Sequence, residues 1–267
     1  MTYVKPARDG MKWTPDETAI ALALYLRIPP SKYLPSTPEV QQLARTLQRT
    51  PKSVKAKLEN LKSHDPARLA MGQSGLPHGA KAEKTAWDRY FTEGDEFVGK
   101  IDALLTQALK ESVIPIDFES GTFSKVSRMP EGKSAMRLIA RRVNDRYFRN
   151  SVSENYDNRC CITGISTPEL LIASHIKPWA VSDPKTERLN ARNGLYLNAL
   201  HDRAFDRGLI TINKDLRMVL STELKRHRNA PNYKWLCECE GQVIQQAREY
   251  PPDPAFIEYH NNIVFVG

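Results

Sequence analysis

Five polar residues in the second half of the chain are spaced so that they could form one chemical site. They are His175, Asn193, His201, Asp202 and Asp206. An imidazole titrates near neutral pH and can accept a proton from water. Asp202 and Asp206 are four residues apart, so on a helix their carboxylates lie on one face. Carboxylates arranged in this way are hard-oxygen ligands that suit Mg²⁺ or Mn²⁺.

Short strands and one short helix are predicted to position these residues. The predicted pieces are a strand and turn over 158–164, a strand over 169–179, a turn and strand over 193–198, and a helix over 199–208. Gly208 ends the helix, as glycine commonly does. The alternation over 209–221 predicts a hairpin. Strands followed by a helix, with a histidine ending a strand and acidic residues on the helix, are typical of a ββα-metal site.

The ordered set of motifs resembles the HNH endonuclease family. The resemblance rests on the segments Cys161–Gly164, Ala173–Trp179, Asn193–Leu197, Asp202–Gly208 and Phe256–Phe265. It covers about the last half of the chain and points to a branch found in bacterial restriction endonucleases. It implies a metal-dependent enzyme that hydrolyses phosphodiester bonds and leaves a 5′ phosphate and a 3′ hydroxyl.

The resemblance also implies a role for each residue of the set. His175 would be the general base, and Asn193 would hold the loop or the imidazole in place. Asp202, His201 and Asp206 all stay open as ligands of one Mg²⁺ or Mn²⁺ ion. Asp202 is favoured, because the helix ligand of the family follows the asparagine by nine residues, the interval from Asn193 to Asp202.

Ser174 is a departure from the family pattern. Many relatives carry an acidic residue or a second histidine immediately before the base, whereas here a serine precedes His175. The metal ion would then have fewer protein ligands, or another residue would supply the missing one. This departure keeps a second function open, a DNA-binding regulator with an inactive HNH-like domain. A nuclease acting on RNA or single strands is a third alternative.

The cysteines do not favour a structural zinc. Cys161 is followed by Gly164 where a second thiol would be needed, and the chain contains no CxxC pair. Cys237 and Cys239 are separated by one residue and lack good ligand spacing. Cys161 together with His201 is the remaining alternative.

The N-terminal part is predicted to be a helical DNA-recognition module. Three short helices between Trp13 and Leu61, with threonine caps followed by proline, resemble a helix-turn-helix or winged-helix pattern. The alternative is a scaffold or dimerisation domain whose basic face is only solvated. The predicted DNA contacts of the whole chain are Arg49, Lys52, Ser53, Lys55, Lys57, Lys177, Arg203 and Arg207.

These elements predict an α+β protein with two domains. We expect a helical domain over 1–111, a linker over 112–134 and the HNH endonuclease domain over 135–267. The segment 64–86 is predicted to be a loop or an irregular wing, and 87–111 is predicted to be helical again. One such nuclease site cuts one strand, so cutting both strands of DNA favours a homodimer.

Composition and charge fit this prediction. The formal net charge of +8 favours association with a polyanion such as double-stranded DNA, possibly modified. No apolar run approaches the roughly 20 residues of a membrane span. The first residues lack an apolar signal segment, and four cysteines do not make a disulfide scaffold. We therefore expect a cytoplasmic protein without a membrane partner.

Overall fold

The computed structural model describes residues 6–72, 81–110 and 133–267. It divides into two compact units, Met1–Asn150 and Ser151–Gly267. Helices form the first unit, and the second combines helices with two small antiparallel sheets, so the α+β expectation is confirmed. Residues 112–132 of the predicted linker lie outside the described residues, and residues 133 and 134 begin a helix.

The first unit is built from helices whose starts follow from the sequence. Their bounds are α1 Pro15–Arg27, α2 Pro38–Thr46, α3 Pro51–Ser63, α4 Pro66–Ala70, α5 Lys81–Thr92, α6 Gly94–Lys110 and α7 Lys133–Asn155. The Thr14 side chain accepts a hydrogen bond from the backbone of Glu17, whose carboxylate caps Thr14 in return. Thr50 accepts from the backbone N–H of Ser53 in the same way, and these caps fix where α1 and α3 begin.

One expectation for the middle of this unit was wrong. The segment predicted as a wing contains α4 and the start of α5, while residues 73–80 lie outside the described part of the chain. The Asp65 side chain caps α4 by accepting from the backbone of Ala67. The helical prediction for 87–111 is confirmed over its described residues by α5 and α6, and Gly94, with a left-handed φ of 59°, separates the two helices.

A buried polar cluster, which we call the Asp65 cluster, joins α1, α4 and α7. The hydroxyls of Tyr25 and Tyr147 donate to Asp65 Oδ2 over 2.8 and 2.5 Å. Arg68 Nε donates to the Tyr25 hydroxyl over 3.1 Å. All four side chains are buried, so each polar atom depends on the others for its hydrogen bonds.

The second unit contains the predicted ββα arrangement. Strand β1, Leu171–His175, pairs antiparallel with β2, Gly194–Asn198, so that His175 lies opposite Gly194. Helix α8, Ala199–Asp206, follows directly, and the Asn198 side chain caps it by accepting from the backbones of Leu200 and His201. The predicted hairpin is also present, as β3 Ile210–Ile212 and β4 Met218–Leu220.

The remaining elements of this unit are short. They are α9 Thr222–Arg226, α10 Lys234–Cys237, α11 Pro254–Tyr259 and a π-helical turn His260–Val264. The strand predicted over 158–164 is a turn instead, in which Cys161 N–H donates to the Tyr196 carbonyl over 2.8 Å. None of the described helices is long and apolar enough to cross a membrane.

Candidate active site

His175 ends β1 and is oriented by the backbone of the following loop. Its Nε2 lies 2.9 Å from the carbonyl oxygen of Arg188. Because a carbonyl only accepts, Nε2 carries the proton, and Nδ1 is the unprotonated nitrogen of the neutral ring. The ring of Trp179 meets the imidazole edge-on, with 5.5 Å between the centroids. Burial lowers the pKa of His175 to about 4, against the opposing effect of the Arg188 carbonyl.

Asn193 is fully buried and holds the loop between the two strands. Its Oδ1 accepts from the Lys177 backbone N–H over 2.8 Å. Its Nδ2 donates to the carbonyls of Lys177 and Glu187 over 3.1 and 3.3 Å, and to Ser182 Oγ over 3.3 Å. These side-chain bonds go to the loop, one of the two roles expected for Asn193. The loop in turn presents the Arg188 carbonyl to the imidazole.

Asp202 and Asp206 lie on one face of α8, and their environments resist negative charge. Burial raises the pKa of Asp202, and the nearby charge of Asp206 raises it further. Partial burial also raises the pKa of Asp206, which is the more exposed of the two, against the charges of Arg203 and Arg207. Two carboxylates that disfavour each other's charge are a site that a cation would stabilise.

Ser174 brings β1 close to Asp202. Its buried hydroxyl is close enough to Asp202 to favour the charged carboxylate. It does so without a hydrogen bond of good geometry, and Oγ has no other partner in the described structure. The serine that replaces a usual ligand therefore still faces the helix.

These oxygen atoms fit a hard divalent cation. Asp202 and Asp206 would supply carboxylate ligands, with the unpartnered Ser174 hydroxyl beside them. Among the described residues no group of three or more His, Cys, Asp or Glu side chains could hold a metal. Water and a substrate phosphate would therefore complete the shell, which is how Mg²⁺ is commonly bound.

His201 is not brought to the two carboxylates. Its side chain is buried, with Nδ1 3.0 Å from Asn198 Oδ1, while its Nε2 has no hydrogen-bond partner in the described structure. Burial lowers its pKa to about 4. Consecutive helical residues point about 100° apart, so the His201 side chain enters the core while that of Asp202 lies on a neighbouring, more exposed part of the helix surface.

The burial of Arg49 corrects the expectation that it contacts DNA. Its guanidinium donates to both carboxylate oxygens of Glu17 over 2.9 and 3.1 Å. It also donates to the carbonyls of Met11 and Lys12 over 3.0 Å each. With 2% of the residue exposed, its donors are taken up inside the first unit.

Lys57 also lies inside the protein rather than on the predicted basic face. Its ammonium donates to Glu83 over 2.5 Å, and both side chains are buried. Lys57 is three residues after the buried Val54, so helical periodicity places it on the apolar face of α3. Lys52 remains exposed and Lys55 half-buried, while Ser53 accepts from the Trp13 indole over 3.3 Å.

The predicted DNA contacts of the second unit differ in their exposure and in whether they form ion pairs. Lys177 is half-buried and pairs with Glu187 over 2.6 Å. Arg203 and Arg207 are exposed on α8, and neither forms an ion pair with any residue that the structure describes. These two cations flank the carboxylates and are free to meet phosphate groups.

Two features of the site were not predicted. The Arg188 carbonyl could not be found, because a backbone group leaves no mark on residue type. His260 contacts α8 and lies within the C-terminal motif 256–265, but nothing in the motif indicated which of its residues reaches the site. A histidine next to an asparagine in that motif was the available signal.

A strand pair leads into a helix, with an imidazole at a strand end and carboxylates on the helix, which is the arrangement expected for a ββα-metal site. Residues 160–213 match the family model of HNH endonucleases. The resemblance to this family is thereby confirmed, and the matched segment includes His175, Asn193 and α8. This match, which lies within the second unit, supports a nuclease.

Comparison with whole proteins adds little. A solved structure of a modification-dependent TagI restriction endonuclease is similar with 21% sequence identity and a TM-score of 0.30. The similarity covers 42% of this chain and 35% of that protein. Similarity at this level identifies neither a shared overall fold nor an activity. No curated protein matches the chain.

Proposed function

We propose that the protein is a metal-dependent DNA endonuclease of restriction type. The observation that carries the proposal is the neutral, backbone-oriented imidazole of His175 in the same ββα unit as Asp202 and Asp206. The family match over residues 160–213 supports the same conclusion. The substrate would be double-stranded DNA, possibly modified, met in the cytoplasm.

His175 would act as the general base. With its pKa near 4, the ring is neutral at physiological pH, so the unprotonated nitrogen that a general base needs is present. The Arg188 carbonyl holds the Nε2 proton, so Nδ1 takes the proton of the attacking water. The oxygen of that water bonds to phosphorus while the bond from phosphorus to the 3′ oxygen breaks. The 3′ oxygen leaves with the pair of electrons and is then protonated.

The helix would bind the metal and the phosphate. Asp202 and Asp206 would hold one Mg²⁺ or Mn²⁺, which supplies positive charge at the phosphate and the departing oxygen. Arg203 and Arg207, both exposed, would neutralise flanking phosphates. Asn193 keeps the loop closed so that the imidazole does not rotate.

The first unit would hold the DNA. The retained candidates on α3 are Lys52 and Lys55, since Arg49 and Lys57 are buried. A helix-turn-helix role for α2 and α3, a domain boundary over 112–134 and a homodimer that cuts both strands are parts of this proposal.

A plasmid-cleavage assay with Mg²⁺ or Mn²⁺ tests the proposal. His175→Ala should lower the cleavage rate by at least about a hundredfold while DNA binding is retained. His227→Ala is the matched control, because that half-exposed histidine pairs with Glu223 in the same unit. Equal cleavage by wild type and His175→Ala would overturn the role of His175. Methylated and unmethylated plasmids in the same assay test dependence on modification.

Ser174 favours one alternative, a DNA-binding regulator whose nuclease site is inactive. Its hydroxyl stands where many HNH nucleases have a charged or imidazole ligand, so the site has few protein ligands. DNA binding by the wild type without cleavage under any divalent metal would support the regulator.

A further inference from the structure

The end of the chain packs against the end of α8 that carries Asp206. The Val266 backbone N–H donates to the Gly208 carbonyl over 2.9 Å. A Cβ atom added to Gly208, whose φ is 66°, would lie 2.0 Å from the Val264 carbonyl oxygen. The segment 260–266, which we call the C-terminal clasp, therefore passes directly against the glycine that ends α8.

His260 makes the central contact of the clasp. Its ring stacks on Phe205, with 3.7 Å between centroids and 12° between planes. Its Nε2 donates to the Phe205 carbonyl over 3.1 Å. With 1% of the residue exposed, His260 is part of the core. Phe205 directly precedes Asp206, so this histidine holds the backbone of the ligand-bearing turn.

Strand β3 anchors the clasp from the other side. The Thr211 hydroxyl lies 2.8 Å from His260 Nδ1 and 2.6 Å from Asn261 Oδ1. Asn261 Nδ2 donates to the Ile212 carbonyl over 3.1 Å. His260 therefore donates toward α8, while on the β3 side its Nδ1 and Asn261 Oδ1 share the single proton of the Thr211 hydroxyl.

Helix α8 needs such support. It has eight residues, and short helices owe their stability to tertiary contacts rather than to their own hydrogen bonds. The Asn198 side chain fixes its first turn, whereas Asp206 is its last residue. Without an outside contact, the last turn would fray and the spacing of Asp202 and Asp206 would vary.

We propose that His260 is a positioning residue that fixes the carboxylates of Asp202 and Asp206 for cation binding. The inference rests on the proposed function, because it takes those carboxylates as the metal site. His260 touches neither the cation nor the DNA. It acts through the Phe205 carbonyl, much as outer residues that orient metal ligands tune affinity in other proteins.

The test compares His260→Phe with His260→Gln. Phenylalanine keeps the stack on Phe205 but removes the N–H donor, whereas glutamine can still donate to the carbonyl. His227→Phe is the matched control, since that histidine stacks on Tyr233 away from α8. The full chain is used, with Mn²⁺ affinity measured by electron paramagnetic resonance and exchange of α8 amide hydrogens measured by mass spectrometry.

His260→Phe should weaken Mn²⁺ binding by about tenfold or more and speed amide exchange at the end of α8. His260→Gln should restore both, and His227→Phe should change neither. Binding of metal-free protein to DNA should be equal in all variants. A fall in melting temperature with unchanged Mn²⁺ affinity and unchanged α8 exchange would reduce His260 to a structural residue and overturn the proposal.

Failure of the proposed function looks different. If the wild type neither binds Mn²⁺ nor cuts DNA, the proposed nuclease function fails. The claim that His260 positions carboxylates for a cation then fails as well. The exchange comparison still decides whether His260 holds the end of α8.

Discussion

At the scale of single residues, the site is governed by burial. His175, His201 and His260 share a pKa lowered to about 4, and burial is the first cause for each. Their surroundings nevertheless assign them different tasks. A carbonyl orients His175, Asn198 holds His201 in the core, and Phe205 with Thr211 holds His260. Residue type alone could not separate these tasks.

Ser174 offers a residue-scale prediction about metal affinity. Ser174→Asp should tighten Mn²⁺ binding by about tenfold, because it adds a carboxylate beside Asp202. Without metal the same change should destabilise the fold, since three carboxylates would then repel one another. Metal titration and thermal unfolding with and without Mn²⁺ measure both effects. Ser174→Ala is the control and should leave affinity nearly unchanged, whereas a tenfold loss in that variant would make the hydroxyl a ligand.

At the scale of elements, the sequence predicted helices best where a capping residue is followed by apolar residues at helical spacing. Thr14 and Thr50 begin α1 and α3 as expected, and Val54, Leu58 and Leu61 form the buried face of α3. β1, β2, α8 and the following hairpin were also predicted from patterning and turn residues.

Prediction from the sequence was wrong for charged residues that are buried in ion pairs with partners distant in the chain. Lys57 and Arg49 suggested a basic surface, yet Glu83 and Glu17 neutralise them inside the unit. Pairing across 26 and 32 positions leaves no local pattern. The same limit applies to His260, whose partners on α8 and β3 lie far earlier in the chain.

The Asp65 cluster supports a prediction about the helical unit. Asp65→Ala should lower the free energy of unfolding by about 3 to 5 kcal/mol, because it removes the carboxylate that accepts from two buried tyrosine hydroxyls and offsets the buried charge of Arg68. Urea denaturation followed by circular dichroism measures the change. Asp88→Ala is the control, since the exposed pair of Asp88 with Lys84 should contribute less than about 1 kcal/mol. Similar losses in both variants would contradict a special role for the cluster.

At the scale of the whole molecule, net charge and available charge differ. The formal charge of +8 counts Arg49 and Lys57, which are buried in ion pairs, and Lys177, which is paired with Glu187. The charge available to a polyanion is therefore carried by other residues, among them the exposed Arg203 and Arg207. Composition indicates a basic excess but not the surface that carries it.

Buried neutral histidines also make global stability depend on pH. The folded pKa of His201 and His260 is about 4, below the unfolded value of 6.5, so folding favours the neutral form. Their contribution is complete above pH 6.5 and is lost as pH falls from 6.5 toward 4. For His260 this difference corresponds to about 3 kcal/mol.

Chemical denaturation at pH 7.5, 6, 5 and 4.5 measures this dependence. The free energy of unfolding should decline steadily across the series, and His260→Gln should show a shallower decline than the wild type. A wild-type stability that is flat down to pH 4.5 would contradict the prediction.

The contact between the Arg188 carbonyl and the imidazole has one more consequence. A main-chain oxygen, unlike a side chain, is present whichever amino acid occupies position 188. A substitution at position 188 can remove the guanidinium that packs over Trp179. It cannot remove the backbone carbonyl that fixes the tautomer of His175. Substitutions at position 188 should therefore leave the imidazole oriented, provided that Asn193 still preserves the path of the loop.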